Sequence, residues 1–241
     1  QQIGEFLRRF QPHSGRANGS LDLRGRADCR RARVVMLIHV NAKHPEPRKI
    51  AQAVAVLERG AVIAYPTDSV YGLGCDLLSK HGIEALYRMK GMREEQLLSF
   101  VCPDIADIAR YAIVHDAAFR VMRRLLPGPY TFILPATKEV PRVLRMKRKT
   151  VGVRIPSHPV TRALTSALGR PLVSTSASVS GDTPEDGTQF LIDPRDIEER
   201  FPELALVLDS EAVGLTPSAV IGLSGAEPVL VRQGAGPVDF L

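Results

Sequence analysis

From residue 45 onward the apolar residues alternate between two spacings, one near 3.6 residues and one of two, and this confines the chain to an α/β architecture. Residues 47–59 place Ile50, Val54 and Leu57 on one helical face and stop at Gly60, and residues 61–64 then read as a short buried strand. The same reasoning predicts helices over 83–89, 104–111, 116–126, 158–168 and 193–201. It predicts strands over 36–40, 97–101, 130–134, 150–155, 172–176, 205–209, 218–223 and 229–232. Asp104 opens one helix, Pro127-Gly128-Pro129 ends another and Gly169 closes a third. Residues 64–74 and 181–192 read as loops. Proline-bounded strands late in the chain favour a mixed sheet over a purely parallel one.

With 241 residues, 44% of them hydrophobic and 24% charged, the chain can bury a sizeable core as one large domain or two small ones. The net charge of +6 is unevenly placed. Residues 1–35 hold eight arginines against Glu5, Asp22 and Asp28, a net of +5, which leaves +1 for the remaining 206 residues. Bulk charge therefore gives the body no argument for nonspecific nucleic-acid binding. Residues 1–35 have no periodic apolar face and are read as a basic leader, disordered or appended, with Met36 as a candidate start. No apolar stretch is long enough to span a bilayer, and no secretory signal pattern stands at the start, so the expected address is the cytoplasm, with no membrane partner. Cys29, Cys75 and Cys102 are odd in number and match no metal spacing, which favours free thiols and leaves the metal ligands as none.

Polar chemistry is concentrated in a few places. In Tyr65-Pro66-Thr67-Asp68-Ser69-Val70-Tyr71-Gly72-Leu73-Gly74, Thr67, Ser69 and Tyr71 supply donors, and Gly72 and Gly74 allow positive φ and close approach of a ligand to the main chain. Lys90-Gly91-Met92-Arg93 puts two cations on a tight link at a helix exit, suited to phosphate oxygens or simply to the helix dipole. Leu126-Pro127-Gly128-Pro129-Tyr130-Thr131 reads as an architectural turn. In Thr150-Val151-Gly152-Val153-Arg154, Arg154 projects from the face opposite the valines, and if buried it needs a carboxylate or phosphate partner, in a ligand or in a structural ion pair. His158 caps or packs rather than catalyses. Residues 174–181 form a hydroxyl cluster at a strand end, either a turn or a site. Arg142, Arg145, Lys147, Arg148 and Lys149 form a basic link that suits RNA phosphates or a solvated loop. No Ser-His-Asp arrangement and no Walker loop competes for the chemistry.

Together with Pro217-Ser218-Ala219-Val220-Ile221 and Val229-Leu230-Val231-Arg232-Gln233-Gly234, these motifs resemble the YrdC/YciO family, the threonylcarbamoyl-AMP synthases, over roughly residues 36–236. Leu98-Ser99-Phe100 and residues 126–136 lie nearest the YciO-like branch. The resemblance implies a single YrdC-like domain over 36–241: a twisted mixed β-sheet with flanking helices around a concave cavity. It implies a nucleotidyltransferase that makes threonylcarbamoyl-AMP and pyrophosphate from L-threonine, bicarbonate and ATP with Mg2+, for tRNA threonylcarbamoyladenosine modification by a downstream transferase. By the same resemblance Thr67, Ser69, Tyr71, Arg154, Ser176 and Ser218 hold threonine, and Lys90, Arg93, Thr150, Ser178 and Arg232 hold ATP. No residue is implied to act beyond binding. The sequence departs from the family pattern at Met92, where an arginine is usual and Arg93 follows one place later. It departs again at Val101, where many synthases have histidine, and at Ser178, which replaces asparagine. These departures keep a second reading open, a YciO-type paralogue that binds double-stranded RNA or nucleotide with little synthase activity.

Overall fold

The computed structural model of the protein describes residues 35–92, 98–145, 149–180, 187–210, 213–225 and 227–239. The leader up to residue 34, with Cys29, lies outside the described residues, as do Arg93, Gly181, Lys147 and Arg148.

Twelve strands and seven helices are described: β1 Met36–His39, α1 Pro47–Glu58, β2 Ile63–Tyr65, β3 Gly72–Asp76, α2 Lys80–Met89, β4 Ser99–Val101, α3 Ile105–Tyr111, α4 Asp116–Leu125, β5 Tyr130–Pro135, α5 Arg142–Arg145, β6 Thr150–Arg154, α6 Pro159–Leu168, β7 Leu172–Ser176, β8 Ser178–Ser180, β9 Thr188–Phe190, α7 Pro194–Arg200, β10 Leu206–Asp209, β11 Ala219–Gly222 and β12 Val229–Arg232. Ten strands form one sheet in the order β1-β10-β2-β3-β7-β4-β6-β5-β11-β12, and β8 pairs with β9 in a separate hairpin. The large sheet is mixed, as the sequence predicts: β10 runs parallel to β2 and β4 to β6, whereas β3 is antiparallel to both β2 and β7.

Side-chain alternation gives the sheet two unlike faces. On one, Phe100, Phe132, Val153, Val173 and Ile221 pack against Ile83 and Leu86 of α2, Ile108 of α3, Met122 of α4 and Ile197 of α7. On the other, Ile63, Tyr65, Val101, Leu172 and Leu206 pack against Ile50, Ala53 and Leu57 of α1 and Val160, Leu164 and Leu168 of α6. These two helices leave part of that face uncovered. There Ser99, Thr131, Gly152, Ser174 and Ser176 of the central strands turn small or hydroxylated side chains outward.

Local signals place most helix ends. The side chains of Ser79, Asp104 and Asp193 accept from the backbone amides of Gly82, Asp107 and Arg195. His158 caps α6 through Nδ1, and Gly169 closes that helix at φ 68°.

Two loop readings are corrected by the structure. Gly72 and Gly74 are not turn residues with positive φ; they lie within β3, extended and paired with β2 and β7. Their missing side chains make room for Tyr65, since a Cβ at Gly72 would lie 2.9 Å from its ring and one at Gly74 2.8 Å. The described part of the 181–192 loop contains β9, which pairs with β8.

Candidate functional site

The segment between β2 and β3 is held from both ends of its own sequence and from α6. Thr67 Oγ1 donates to Val70 O at 2.6 Å and accepts from Ser69 N at 3.2 Å, a tight hydroxyl turn. Pro66 O accepts from Thr161 Oγ1 of α6. Asp68 Oδ2 accepts from Ser157 N at 2.7 Å and Ser157 Oγ at 3.1 Å, just before α6 begins.

Arg154, the last residue of β6, reaches this loop. Its Nη2 donates to Asp68 Oδ1 at 2.9 Å and lies 3.3 Å from Ser69 Oγ and 3.4 Å from Thr67 Oγ1. Of the two alternatives raised by the sequence, the structural ion pair is present at this residue, with Asp68. Arg154 is only 9% exposed while its Nε has no hydrogen-bond partner. A buried donor without an acceptor is costly to leave unmade.

The residue borders a cavity of about 470 Å³ over the uncovered part of that face. Ser99, Gly152, Ser174 and Ser176 contribute its floor; Thr131, Ser218, Val231 and Arg232 contribute the side toward β12. Register explains the grouping, because Ser99 stands between Gly152 on β6 and Ser174 on β7, and Gly72 opposes Ser176. Ser174 Oγ donates to Leu73 O at 3.1 Å and lies 2.5 Å from Tyr65 Oη, so the phenol donates to it. Burial pushes the Tyr65 phenol up to about 12 and keeps it a donor. Ser218 Oγ and Thr131 Oγ1 are 2.8 Å apart, and Arg232 Nη2 donates to Ser218 O at 2.8 Å. Partial burial and the nearby Arg154 charge hold Arg232 below the ordinary arginine value. The cavity therefore combines two guanidinium groups with a ring of hydroxyls, an arrangement suited to carboxylate and phosphate oxygens.

Gly152 differs from the glycines of β3. A Cβ there would meet nothing closer than 3.6 Å, from Ser99 Cβ and Thr131 Cγ2, and its φ is not positive. Packing and backbone geometry would both accept a Cβ here, and its absence leaves room in the cavity that Gly152 lines. Gly152→Val is expected to keep or raise the melting temperature, since valine favours strands, while weakening ligand binding at least tenfold. Parallel thermal melts and calorimetric titrations check this.

Lys90 lies elsewhere. It is the C-cap of α2, and its Nζ donates to Ser178 O and to Ser178 Oγ at 3.0 Å, with the Phe201 ring centroid 5.8 Å away. Burial, helped by the charge of Arg200, lowers its pKa to about 8. Below about pH 8 the folded and unfolded chains both carry this proton, and the cost of burying the charge is fully present. Between about 8 and the ordinary 10.5 the folded chain alone releases it, so the stability contribution of Lys90 rises with pH. The difference in melting temperature between wild type and Lys90→Met is accordingly expected to move in favour of wild type between pH 7 and pH 9.5.

Of the residues picked out by the sequence, Tyr71, Arg154, Ser176, Ser218 and Arg232 border the cavity, and Thr67 and Ser69 meet Arg154 beside it. The Tyr71 hydroxyl is turned away to accept from Ser210 N at 3.2 Å, and its ring is wholly buried. Thr150, opposite Pro135 at the far end of β6, is not among the lining residues, nor are Lys90 and Ser178, which bind each other. Arg93 lies outside the described residues. Asp68, Ser99, Thr131, Ser174 and Gly152 lie in the motifs that the sequence marks, but the sequence gives none of them a ligand role. The period-2 pattern of β6 could have identified Gly152 as a neighbour of Arg154 on one face, but only strand order brings Ser99 beside it. Among the described residues no group of three His, Cys, Asp or Glu side chains could hold a metal ion, and no helix is long and apolar enough to cross a membrane. Cys75 and Cys102 are free, buried thiols whose pKa values burial raises.

Comparison with known proteins agrees with the fold. Residues 55–234 match the model of the Sua5/YciO/YrdC family, described as "Telomere recombination". YciO of Escherichia coli K12, an uncharacterized protein, is 39% identical over 202 residues, which span 83% of this chain and 96% of YciO. The crystal structure of E. coli YciO superposes with a TM-score of 0.79 at 38% identity, covering 85% of this chain and 98% of that one. Threonylcarbamoyl-AMP synthase of Halorhodospira halophila is 40% identical over 139 residues, 57% of this chain and 73% of the synthase. Sua5 of P. abyssi, solved in complex with L-threonine, superposes with a TM-score of 0.75 at 28% identity, covering 83% of this chain and 58% of Sua5.

Proposed function

The chain belongs to the Sua5/YciO/YrdC family, and from that premise we propose that it is an L-threonylcarbamoyladenylate synthase, with the cavity beside Arg154 as its substrate site. The observation that carries this reading is Arg154, a buried residue that lines a hydroxyl-rich cavity, paired with Asp68 yet with an Nε that has no hydrogen-bond partner. Similarity to threonylcarbamoyl-AMP synthases and to a Sua5 that binds L-threonine supports it.

In the proposed reaction the amine of threonine adds to bicarbonate, and water leaves to give the carbamate. A carbamate oxygen then attacks the α-phosphorus of MgATP, and pyrophosphate departs. No covalent nucleophile from the protein is required, so the protein's part is orientation and charge compensation. In this reading Arg154, Thr67, Ser69, Ser176 and Ser218 hold the amino acid, and Arg232 is the cation offered to the phosphates. Lys90, Ser178, Thr150 and Arg93 belong to the proposed nucleotide end. Magnesium enters as part of the MgATP substrate. The product is proposed to pass to a transferase that modifies tRNA in the cytoplasm.

Labelled bicarbonate incubated with threonine and ATP should yield a labelled threonylcarbamoyl adenylate on chromatography, and no product from folded protein refutes synthase activity. One observation favours a second reading: Lys90 lies off the cavity and is bound to Ser178. With Met92, Val101 and Ser178, that fits a paralogue that binds nucleotide or double-stranded RNA and makes little product. Retained nucleotide or RNA binding without labelled product would select it.

A further inference from the structure

The guanidinium of Arg154 is asymmetrically occupied. Nη2 carries two hydrogens and faces three oxygens, Asp68 Oδ1 at 2.9 Å, Ser69 Oγ at 3.3 Å and Thr67 Oγ1 at 3.4 Å, so it has nothing left to offer a ligand. Nε has one hydrogen and no acceptor. The carboxylate that imposes this asymmetry is itself fixed from behind, since its other oxygen accepts from both the backbone and the hydroxyl of Ser157. Ser157, Asp68 and Arg154 thus form a relay of directed hydrogen bonds from the start of α6 to the cavity.

We propose that Asp68 is a positioning residue, holding Arg154 so that its free Nε–H presents to the carboxylate of a zwitterionic amino-acid substrate; the amino-acid half of this rests on the function proposed above. An arginine neutralised by its own carboxylate exerts little net field and recognises a partner by direction. That favours a small zwitterion over a polyanion at this end of the cavity, and leaves Arg232 as the cation facing phosphates. Thr67 and Ser69 complete the cradle: both hydroxyls lie against Nη2, and Thr67 Oγ1 also ties the loop to Val70 O.

Asp68→Asn keeps the side-chain shape and removes the charge. The full chain labelled with 15N-arginine should show, in wild type, a slowly exchanging Nε–H signal that Arg154→Lys removes and thereby assigns. In Asp68→Asn that signal should broaden or exchange at least tenfold faster. Calorimetry should show L-threonine affinity falling at least tenfold, with ATP affinity unchanged or tighter and the far-UV circular dichroism native. Ser157→Ala removes one hydrogen bond from Asp68 and keeps the ion pair, so it should give the same pattern at smaller amplitude and stands in if Asp68→Asn does not fold. An unchanged Arg154 signal and unchanged threonine affinity would overturn the assignment. Equal losses of threonine and ATP affinity with a lowered melting temperature would also overturn it, because they mark a merely structural role. Should wild type bind no threonine, the proposed function fails. The arginine signal then decides alone: faster exchange in Asp68→Asn supports positioning, and an unchanged signal refutes it.

Discussion

Arg154→Ala is expected to destabilise the protein by about 3 kcal/mol and to abolish threonine-dependent pyrophosphate release. The first effect follows from Asp68, whose side chain is only 9% exposed and would lose its counter-ion. Removing one partner of a buried pair typically costs about 3–5 kcal/mol, since an uncompensated charge is left behind. Ser157 still offers Asp68 two hydrogen bonds, which places the expectation at the lower end. The second effect follows because no other guanidinium described here reaches Thr67 and Ser69. Urea denaturation and a pyrophosphate assay measure the two independently. The double variant Arg154→Ala/Asp68→Ala should recover most of the stability and none of the activity. Recovery of both, or wild-type behaviour of the single variant, would remove Arg154 from the site.

Gly234→Ala is expected to lower stability by about 2–3 kcal/mol, near the top of what overpacking usually costs, and to weaken nucleotide binding. A Cβ at residue 234 would lie 2.2 Å from Ala219 N, 2.3 Å from Ser218 C and 2.5 Å from Pro217 O, all of them backbone atoms that no rotamer change can move. The main chain must separate, and it carries two things with it. One is the bond from Ala235 N to Pro217 O at 2.8 Å. The other is the seat of Arg232 on Ser218 O, which keeps that guanidinium at the cavity. Chemical denaturation together with calorimetric titration of ATP checks the coupling. A stable Gly234→Ala protein with native ATP affinity would mean that the segment after β12 does not hold Arg232 in place.

The structure separates what periodicity can reveal from what it cannot. Most helices were legible because their signals are local: Asp104 and His158 cap the helices they precede, and Gly169 ends the one it follows, whereas the four-residue α5 lies within what the sequence presents as a basic link. Strand alternation sets Arg154 opposite Val151 and Val153, and the resemblance to the family, not the alternation, is what marks it as a ligand residue. Gly72 and Gly74 misled because glycine in sequence suggests a turn, whereas here its cause is the Tyr65 ring across a strand pair. Asp68 was overlooked although it stands between two residues that were chosen. Its importance comes from an arginine 86 positions away, and no local pattern carries that separation. Thr131 was assigned to an architectural turn, and its place in the cavity wall depends on β11 lying beside β5.

The cavity draws its walls from segments far apart in the chain, from Val70 in the β2–β3 loop to Arg232 on β12. Arg154 and Asp68 would still be present in a chain cut before β12, but the wall that Val231 and Arg232 supply would not. Ligand affinity consequently reports whether β12 is docked beside β11. A bound substrate stabilises the folded protein by mass action, and its contribution is withheld from any chain shortened before β12.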